Sequence, residues 1–218
     1  MVGRDDCPKV LRGNRWSVIR GGTARTIFWL GYTATPPAIT RTSTVNERAE
    51  LILGGVRSGK SAYAEAQARA SGLAVHVIAT AAAGDTEMAA RIAAHRARRP
   101  GHWVTHEAES ALAATLAAVA APDRCLLVDC LGLWVSNLLH AGEAAFTAER
   151  AALLEQLPTL PGRILLVSNE VGWGLVPMNA LARRFADELG WLNQAVAARC
   201  GRVALLAAGL PLILKDTP

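Results

Sequence analysis

The 218-residue chain contains no apolar run of the ~18–20 residues that a bilayer-crossing helix needs. That excludes a helical membrane span, and a cytoplasmic location is the expectation. Its four cysteines, Cys7, Cys125, Cys130 and Cys200, include no C-x-x-C pair. Neither a zinc ribbon nor a dithiol redox motif is present, and reduced, mostly buried thiols are expected. A nucleic-acid stripe is missing as well. The formal net charge of +5 belongs to residues 1–48, which carry eight Lys/Arg against three Asp/Glu, whereas residues 49–218 carry fifteen of each sign. The bulk of the chain is electrically balanced, so binding to a phosphate backbone is not supported there.

Residues 1–48 also lack sustained helical or alternating periodicity and are rich in Arg, Thr, Gly and Pro. The apolar stretch 26–31 is too short for a signal-peptide core. The segment is expected to be a poorly ordered basic extension. A transit-type leader and a translation start further downstream, with Val45 as a candidate initiator, both stand. Residues 49–218 are long enough for one α/β domain with its own core.

What the chain does have is Gly54-Gly55-Val56-Arg57-Ser58-Gly59-Lys60-Ser61, which satisfies G-x-x-x-x-G-K-[ST] in full. The apolar run Leu51-Ile52-Leu53 precedes it and a helix-compatible stretch, 60–70, follows. Strand, glycine-rich loop and helix N-terminus together form an anion cradle of backbone N–H groups and dipole. Lys60 is expected to reach the β- and γ-phosphates of a nucleoside triphosphate, and the Ser61 hydroxyl to ligate Mg²⁺. A glycine-rich turn that merely precedes a lysine would lack the flanking strand and helix.

Further strands are expected at 75–79, 126–129, 163–167 and 202–207, and helices at about 85–95 (capped by Asp85), 110–120 and 178–199. Short apolar runs alternating with helices imply a mostly parallel sheet covered on both faces. Asp129 ends its strand and is expected to hold Mg²⁺ with Ser61, in the manner of acids on a neighbouring strand of phosphate-loop enzymes. The competing reading makes it a cap for a turn at Leu131-Gly132. His95 lies among Arg91, Arg96, Arg98 and Arg99, a concentration of charge suited to phosphate, and nearby cations favour neutral, nucleophilic imidazole. On residue chemistry alone an ordinary helix histidine is the commoner reading. The spacing His102-x-x-x-His106 invites a metal reading, against which stand Pro100-Gly101 and the lack of paired cysteines. The loop Asn169-Glu170-Val171-Gly172-Trp173-Gly174-Leu175-Val176-Pro177 is either a structural turn with Trp173 in the core or a ligand-contacting loop at a strand's C-terminal end.

Beyond single motifs, the chain from about residue 50 to 215 resembles the bifunctional adenosylcobinamide kinase/adenosylcobinamide-phosphate guanylyltransferase family. The resemblance rests on an ordered series: the phosphate loop, Ile78-Ala79-Thr80, Asp85-x-Glu87-Met88, Arg91-Ile92-x-x-His95-Arg96, and Arg99-Pro100-x-x-Trp103-x-Thr105-x-Glu107. Val128-Asp129-Cys130-Leu131, Trp134-Val135-Ser136-Asn137-Leu138-Leu139, Asn169-Glu170-Val171-Gly172-x-Gly174-x-Val176-Pro177 and Gly209-Leu210-Pro211 complete it. It implies a RecA-like, three-layer phosphate-loop fold and two reactions. ATP or GTP phosphorylates adenosylcobinamide, and His95 then carries GMP from GTP to adenosylcobinamide phosphate. The resemblance further implies nucleotide contacts from 54–61, Ala79, Thr80, Ala81, Arg96, Ala97, Arg98, Arg99, Glu107 and Asp129, with Lys60 and His95 catalytic, and a homotrimeric assembly. A phosphate-loop small-molecule kinase that lacks the guanylyl step is the alternative, and a non-catalytic nucleotide-binding module is the third reading.

Overall fold

The computed structural model describes residues 10–12, 15–20, 23–26, 45–81 and 86–217, in two compact units split after Pro37. In the first unit, β1 (Val10–Arg12), β2 (Arg15–Arg20) and β3 (Thr23–Thr26) form an antiparallel meander. Reading residues 1–48 as poorly ordered placed no strand there. The alternation in Arg15-Trp16-Ser17-Val18-Ile19-Arg20 spans too few residues to stand out from the Gly/Arg/Thr background.

The second unit holds a seven-stranded sheet of β4 (Asn46–Gly54), β5 (Ala74–Ala79), β6 (Val104–Glu107), β7 (Arg124–Asp129), β8 (Arg163–Asn169), β9 (Cys200–Ala207) and β10 (Leu210–Asp216). The order is β10-β9-β4-β8-β7-β5-β6, parallel throughout except that β10 runs antiparallel to β9 at one edge. The β9–β10 turn has positive φ at both Ala208 (52°) and Gly209 (81°), the backbone that right-twisted hairpins favour. The helices are α1 (Lys60–Ala70), α2 (Thr86–Arg98), α3 (Leu112–Val119), α4 (Leu131–Ala141), α5 (Glu143–Gln156) and α6 (Ala180–Arg199).

Central strands buried on both faces explain the continuous apolar runs at 51–53, 126–128 and 164–167. One face packs Ile52, Val77, Leu127 and Leu165 against Ala64 and Ala68 of α1. Two alanines one helical turn apart let α1 approach the sheet closely. The other face packs Leu51, Ile78, Leu126 and Leu166 against Leu116 of α3, Trp134 and Leu138 of α4, Leu153 of α5 and Leu192 of α6. The result is three layers, helix–sheet–helix, the phosphate-loop α/β fold the sequence implies.

Four of these elements of the second unit were not expected: β6, α4, α5 and β10. The proposed turn at Leu131-Gly132 is instead the first turn of α4, with Cys130 at its N-cap position. Asp85, the expected cap of α2, lies outside the described residues. The long C-terminal helix starts at Ala180, where the Asn179 side chain accepts the Leu181 N–H (2.7 Å).

On β5 and the edge strand β6, His76 Nδ1 and His106 Nε2 lie 3.0 Å apart with nearly parallel ring planes. His106 is thereby engaged across strands, and His102 precedes β6 rather than sharing a helical face with it. Burial, followed by the Arg124 and His106 charges, lowers the His76 pKa below 6.5. The unfolded chain therefore takes up the proton more readily, and this contribution to stability is present above pH ~6.5 and lost on acidification through the folded value. Denaturant unfolding at pH 7.5 and 5.5 is expected to show lower stability at 5.5, with a smaller difference in His76→Asn. An equal difference in that variant would assign the pH effect to other groups.

Candidate nucleotide site

Register brings the functional residues to one edge. In the parallel ladders Gly54 pairs with Asn169 and Leu206, Ala79 with both Glu107 and Asp129, and Asp129 with Val167. All of these are C-terminal strand ends, where open α/β sheets bind ligands. The connection from β4 runs over one face through α1, and that from the neighbouring β8 runs over the other through α6. The crevice therefore opens between the ends of β4 and β8.

The phosphate loop occupies that point. Gly59 has φ +96°, and a Cβ there would stand 3.0 Å from Gly209 Cα. The β9–β10 turn docks on the loop, with the Gly209 N–H donating to Ser58 O (2.9 Å). At Gly54 a Cβ would fall 2.3 Å from Ser58 Oγ and 2.9 Å from the Leu206 carbonyl, so only glycine fits. Lys60 is the first residue of α1, and its Nζ donates to Gly55 O (3.1 Å) across the loop. Ser58 Oγ is buried without a hydrogen-bond partner, an unmet need that a phosphate oxygen can fill. Ser61 follows in the first turn of α1 and is half-buried.

Asp129 lies two strands from the phosphate loop, because β8 intervenes between β4 and β7. The expectation of a neighbouring strand is corrected to next-but-one. Its Oδ2 accepts a bond from Arg99 Nη2 (2.6 Å). The Arg99 and Asp129 side chains are only 8% and 16% exposed, and Arg99 Nε also lies 3.8 Å from Glu65 of α1. Arg96 Nη2 donates to Glu107 Oε1 (2.7 Å), but these side chains are 54% and 71% exposed. Solvent-exposed pairs contribute roughly 0–1 kcal/mol. The Arg99 pair is therefore the firmer tie between the end of α2 and the sheet. Arg98 is exposed, and its carbonyl accepts a long bond from Arg69 (3.5 Å).

Thr80 is fully buried. Its hydroxyl donates to Cys130 O (2.7 Å) and accepts the Cys130 N–H (2.9 Å), while Asn137 Nδ2 donates to Thr80 O (2.8 Å). The Thr80 side chain thus fixes the backbone beside Asp129. Burial, reinforced by the Asp129 charge, pushes the Cys130 thiol up, so it is not a thiolate. Ala79 and Ala81 flank Thr80, half-buried, and Ala97 is exposed on α2. His95 is placed by its backbone in the last turn of α2, the turn that also carries Arg96.

Sequence reasoning missed Glu65 and Asn137, whose roles depend on partners 34 and 57 residues away and leave no local pattern. The reading with Trp173 in the core is corrected: Trp173 is 77% exposed, in a loop that also exposes Leu175 and Val176.

A phosphate loop on a doubly covered parallel sheet, with an acid at a nearby strand end, defines a phosphate-loop nucleotide-binding domain. Comparison with known proteins narrows the class. The chain belongs to the cobinamide kinase/cobinamide phosphate guanyltransferase family, whose model matches residues 50–214. It is 61% identical over 170 residues to the bifunctional adenosylcobalamin biosynthesis protein CobP of Pseudomonas aeruginosa, an alignment covering 78% of this chain and 98% of that protein. It is 38% identical over 179 residues to the CobU proteins of Salmonella typhimurium and Escherichia coli, covering 76% of this chain and 98% of each.

Proposed function

We propose that the chain phosphorylates the aminopropanol hydroxyl of adenosylcobinamide, using ATP or GTP. It then transfers GMP from GTP to the adenosylcobinamide phosphate, yielding adenosylcobinamide-GDP and pyrophosphate. The observation that carries this reading is the convergence of the phosphate loop and the arginine-bearing end of α2 on one sheet edge. Phosphorus transfer asks a protein chiefly for alignment and neutralisation of charge.

In the first reaction the loop amides and Lys60 hold the triphosphate. Ser61 and Asp129 are the residues that would hold Mg²⁺; a hydroxyl and a carboxylate suit a hard cation, and the unpartnered Ser58 Oγ suits the phosphate beside it. Bound there, the ion neutralises charge on the phosphate oxygens. In the second reaction the His95 imidazole attacks the α-phosphorus of GTP, pyrophosphate leaves, and the phosphoramidate delivers GMP to the corrinoid phosphate. Two displacements let GTP and a bulky corrinoid use the site in turn. In this reading Arg96 and Arg99, which pair with Glu107 and Asp129 in the structure, exchange those acids for nucleotide phosphate, and Glu107 suits guanine's N1–H and amino donors. The exposed 169–177 loop is the candidate corrinoid contact.

The catalytic unit in this reading is residues 49–218, and the basic segment 1–48 has no part in the chemistry. A homotrimer in the cytoplasm completes it. The edge strand β10, which exposes Leu210, Leu212, Ile213 and Leu214, is suited to burial between copies.

The test is covalent labelling with α-³²P-GTP. Wild type is expected to carry label that survives denaturation and is released by acid but not by alkali. His95→Ala is expected to carry none while still phosphorylating adenosylcobinamide. A folded, nucleotide-binding wild type that never labels would leave the kinase alternative.

A further inference from the structure

Three acids stand at or just beyond the C-terminal edge of the sheet: Glu107 ending β6, Asp129 ending β7 and Glu170 following β8. Glu107 and Asp129 are each engaged by an arginine of the α2 end. Glu170 has no ion pair among the described residues. Its backbone N–H donates to Gly54 O (3.1 Å), which fixes it beside the first residue of the phosphate loop. Its Oε1 accepts the Gly172 N–H (2.8 Å), and among the described residues Oε2 accepts no hydrogen bond. Its place in the sheet is equally specific. The strand β8 lies between the strand that delivers the phosphate loop and the strand that delivers Asp129. The crevice between β4 and β8, where the connections diverge to opposite faces, opens at this residue.

Phosphorylating an alcohol needs a group that orients the hydroxyl and takes its proton, a part that a carboxylate plays in protein kinases. Lys60 is a cation, the Asp129 carboxylate is engaged by Arg99 here and assigned to Mg²⁺ in the proposed reaction, and the Thr80 hydroxyl is committed to backbone. We propose that Glu170 is the general base of the phosphoryl-transfer step. The Glu170 carboxylate accepts the proton of the substrate hydroxyl as the alcohol oxygen bonds to the γ-phosphorus. The bond from that phosphorus to the β,γ-bridging oxygen breaks, and the electron pair leaves with the nucleoside diphosphate. Protonated Glu170 then returns its proton to water. The Gly172 N–H bond holds one oxygen of the carboxylate and leaves the other for the substrate. Directly after Glu170 the chain exposes Val171, Trp173, Leu175 and Val176, an apolar surface next to the base on which the macrocycle of a hydroxyl-bearing corrinoid can rest. The inference rests on the kinase half of the proposed function.

Transfer of ³²P from γ-labelled ATP to adenosylcobinamide, followed in the full chain for wild type, Glu170→Gln and Glu170→Asp, tests it. Loss of a general base costs about 10²–10⁴-fold. Glu170→Gln is expected to lower kcat for phosphorylation by at least about a hundredfold, while labelling by α-³²P-GTP stays at the wild-type level. Glu170→Asp is expected to keep intermediate activity, and the acid limb of the kcat–pH profile is expected to vanish in Glu170→Gln. Phosphorylation by Glu170→Gln within about threefold of wild type, a factor too small for a lost base, would overturn the assignment. Equal loss of phosphorylation and labelling in both variants would do the same, because it would show a structural role. A wild type that binds ATP but phosphorylates nothing would overturn the functional reading itself, and this inference with it.

Discussion

Replacing Lys60 by alanine is expected to lower the rate of adenosylcobinamide phosphorylation by about 10²–10³-fold, the cost typical of removing one preorganised charge-stabilising donor. The structure gives three reasons for an effect of that size. Lys60 opens α1, so its ammonium adds to the positive end of the helix dipole at the point where phosphate charge collects. Its Nζ already reaches back across the loop to Gly55 O (3.1 Å), so the side chain spans the cradle before any nucleotide arrives. Gly59, with φ +96° and Gly209 packed against it, leaves the loop little freedom to bring another cation to the same place. Lys60→Arg is expected to be impaired as well, since a planar fork does not replace a compact ammonium in a closed backbone ring. Single-turnover transfer from γ-labelled ATP, with nucleotide affinity measured in parallel, checks this. A rate within threefold of wild type at saturating nucleotide would remove Lys60 from the chemistry. The same variant reports on the second reaction: parallel loss of α-³²P label identifies one shared nucleotide pocket, and retained label identifies two.

The phosphate loop was legible because its chemistry forces both residue type and spacing within eight positions. The central strands were legible because burial on both faces demands unbroken apolar runs, as in Leu126-Leu127-Val128. Where local pattern weakens, legibility ends. The helix α4 begins two residues after the end of β7, and Gly132 in its first turn reads as a turn residue. On α5 only Phe146 and Leu153 are buried, too few to produce a clear stripe. The four-residue β6 is mostly exposed and has no apolar run to announce it. Contacts set by topology were the least readable. Asp129 was visible as a strand-end acid, but its pairing with Arg99, and the placement of Glu170 between it and the phosphate loop, follow from strand order. A single sequence leaves strand order open.

Glu50 shows the same limit away from the site, and its replacement by alanine is expected to be among the most destabilising single changes in the domain. It interrupts the apolar run of β4, and its side chain is 2% exposed on the face that packs against α1. Three partners make that burial tolerable. The Tyr63 hydroxyl donates to Oε1 (3.1 Å), Arg163 Nη2 donates to Oε2 (2.9 Å), and Arg202 Nε lies 3.3 Å from Oε1. Burial, and next the Glu50 charge, raises the Tyr63 pKa, so the phenol stays protonated and remains a donor. Truncation to alanine leaves a cavity and takes from Arg163 its carboxylate partner, while Arg202 keeps Asp216 (2.7 Å) and its contact with the Tyr63 hydroxyl. Removing one member of a buried ion pair costs about 3–5 kcal/mol. The arginines are about one-third exposed, 34% and 35%, and water can screen them, so the lower end applies here. At 2–4 °C per kcal/mol for a domain of this size, about 3 kcal/mol lowers Tm by roughly 6–12 °C. Glu50→Gln keeps a hydrogen-bonding side chain without the charge and is expected to fall between. Pairing Glu50→Leu with Arg163→Met is expected to recover part of the loss, since apolar replacement of a whole buried pair is often neutral. Glu50 lies in the middle of β4, four residues before the start of the phosphate loop at Gly54, so activity below the transition is expected to be retained. Thermal and denaturant unfolding of the variants measure the effect, and a Glu50→Ala change below about 0.5 kcal/mol, the range of ordinary surface substitutions, would show that solvent already satisfies the arginines.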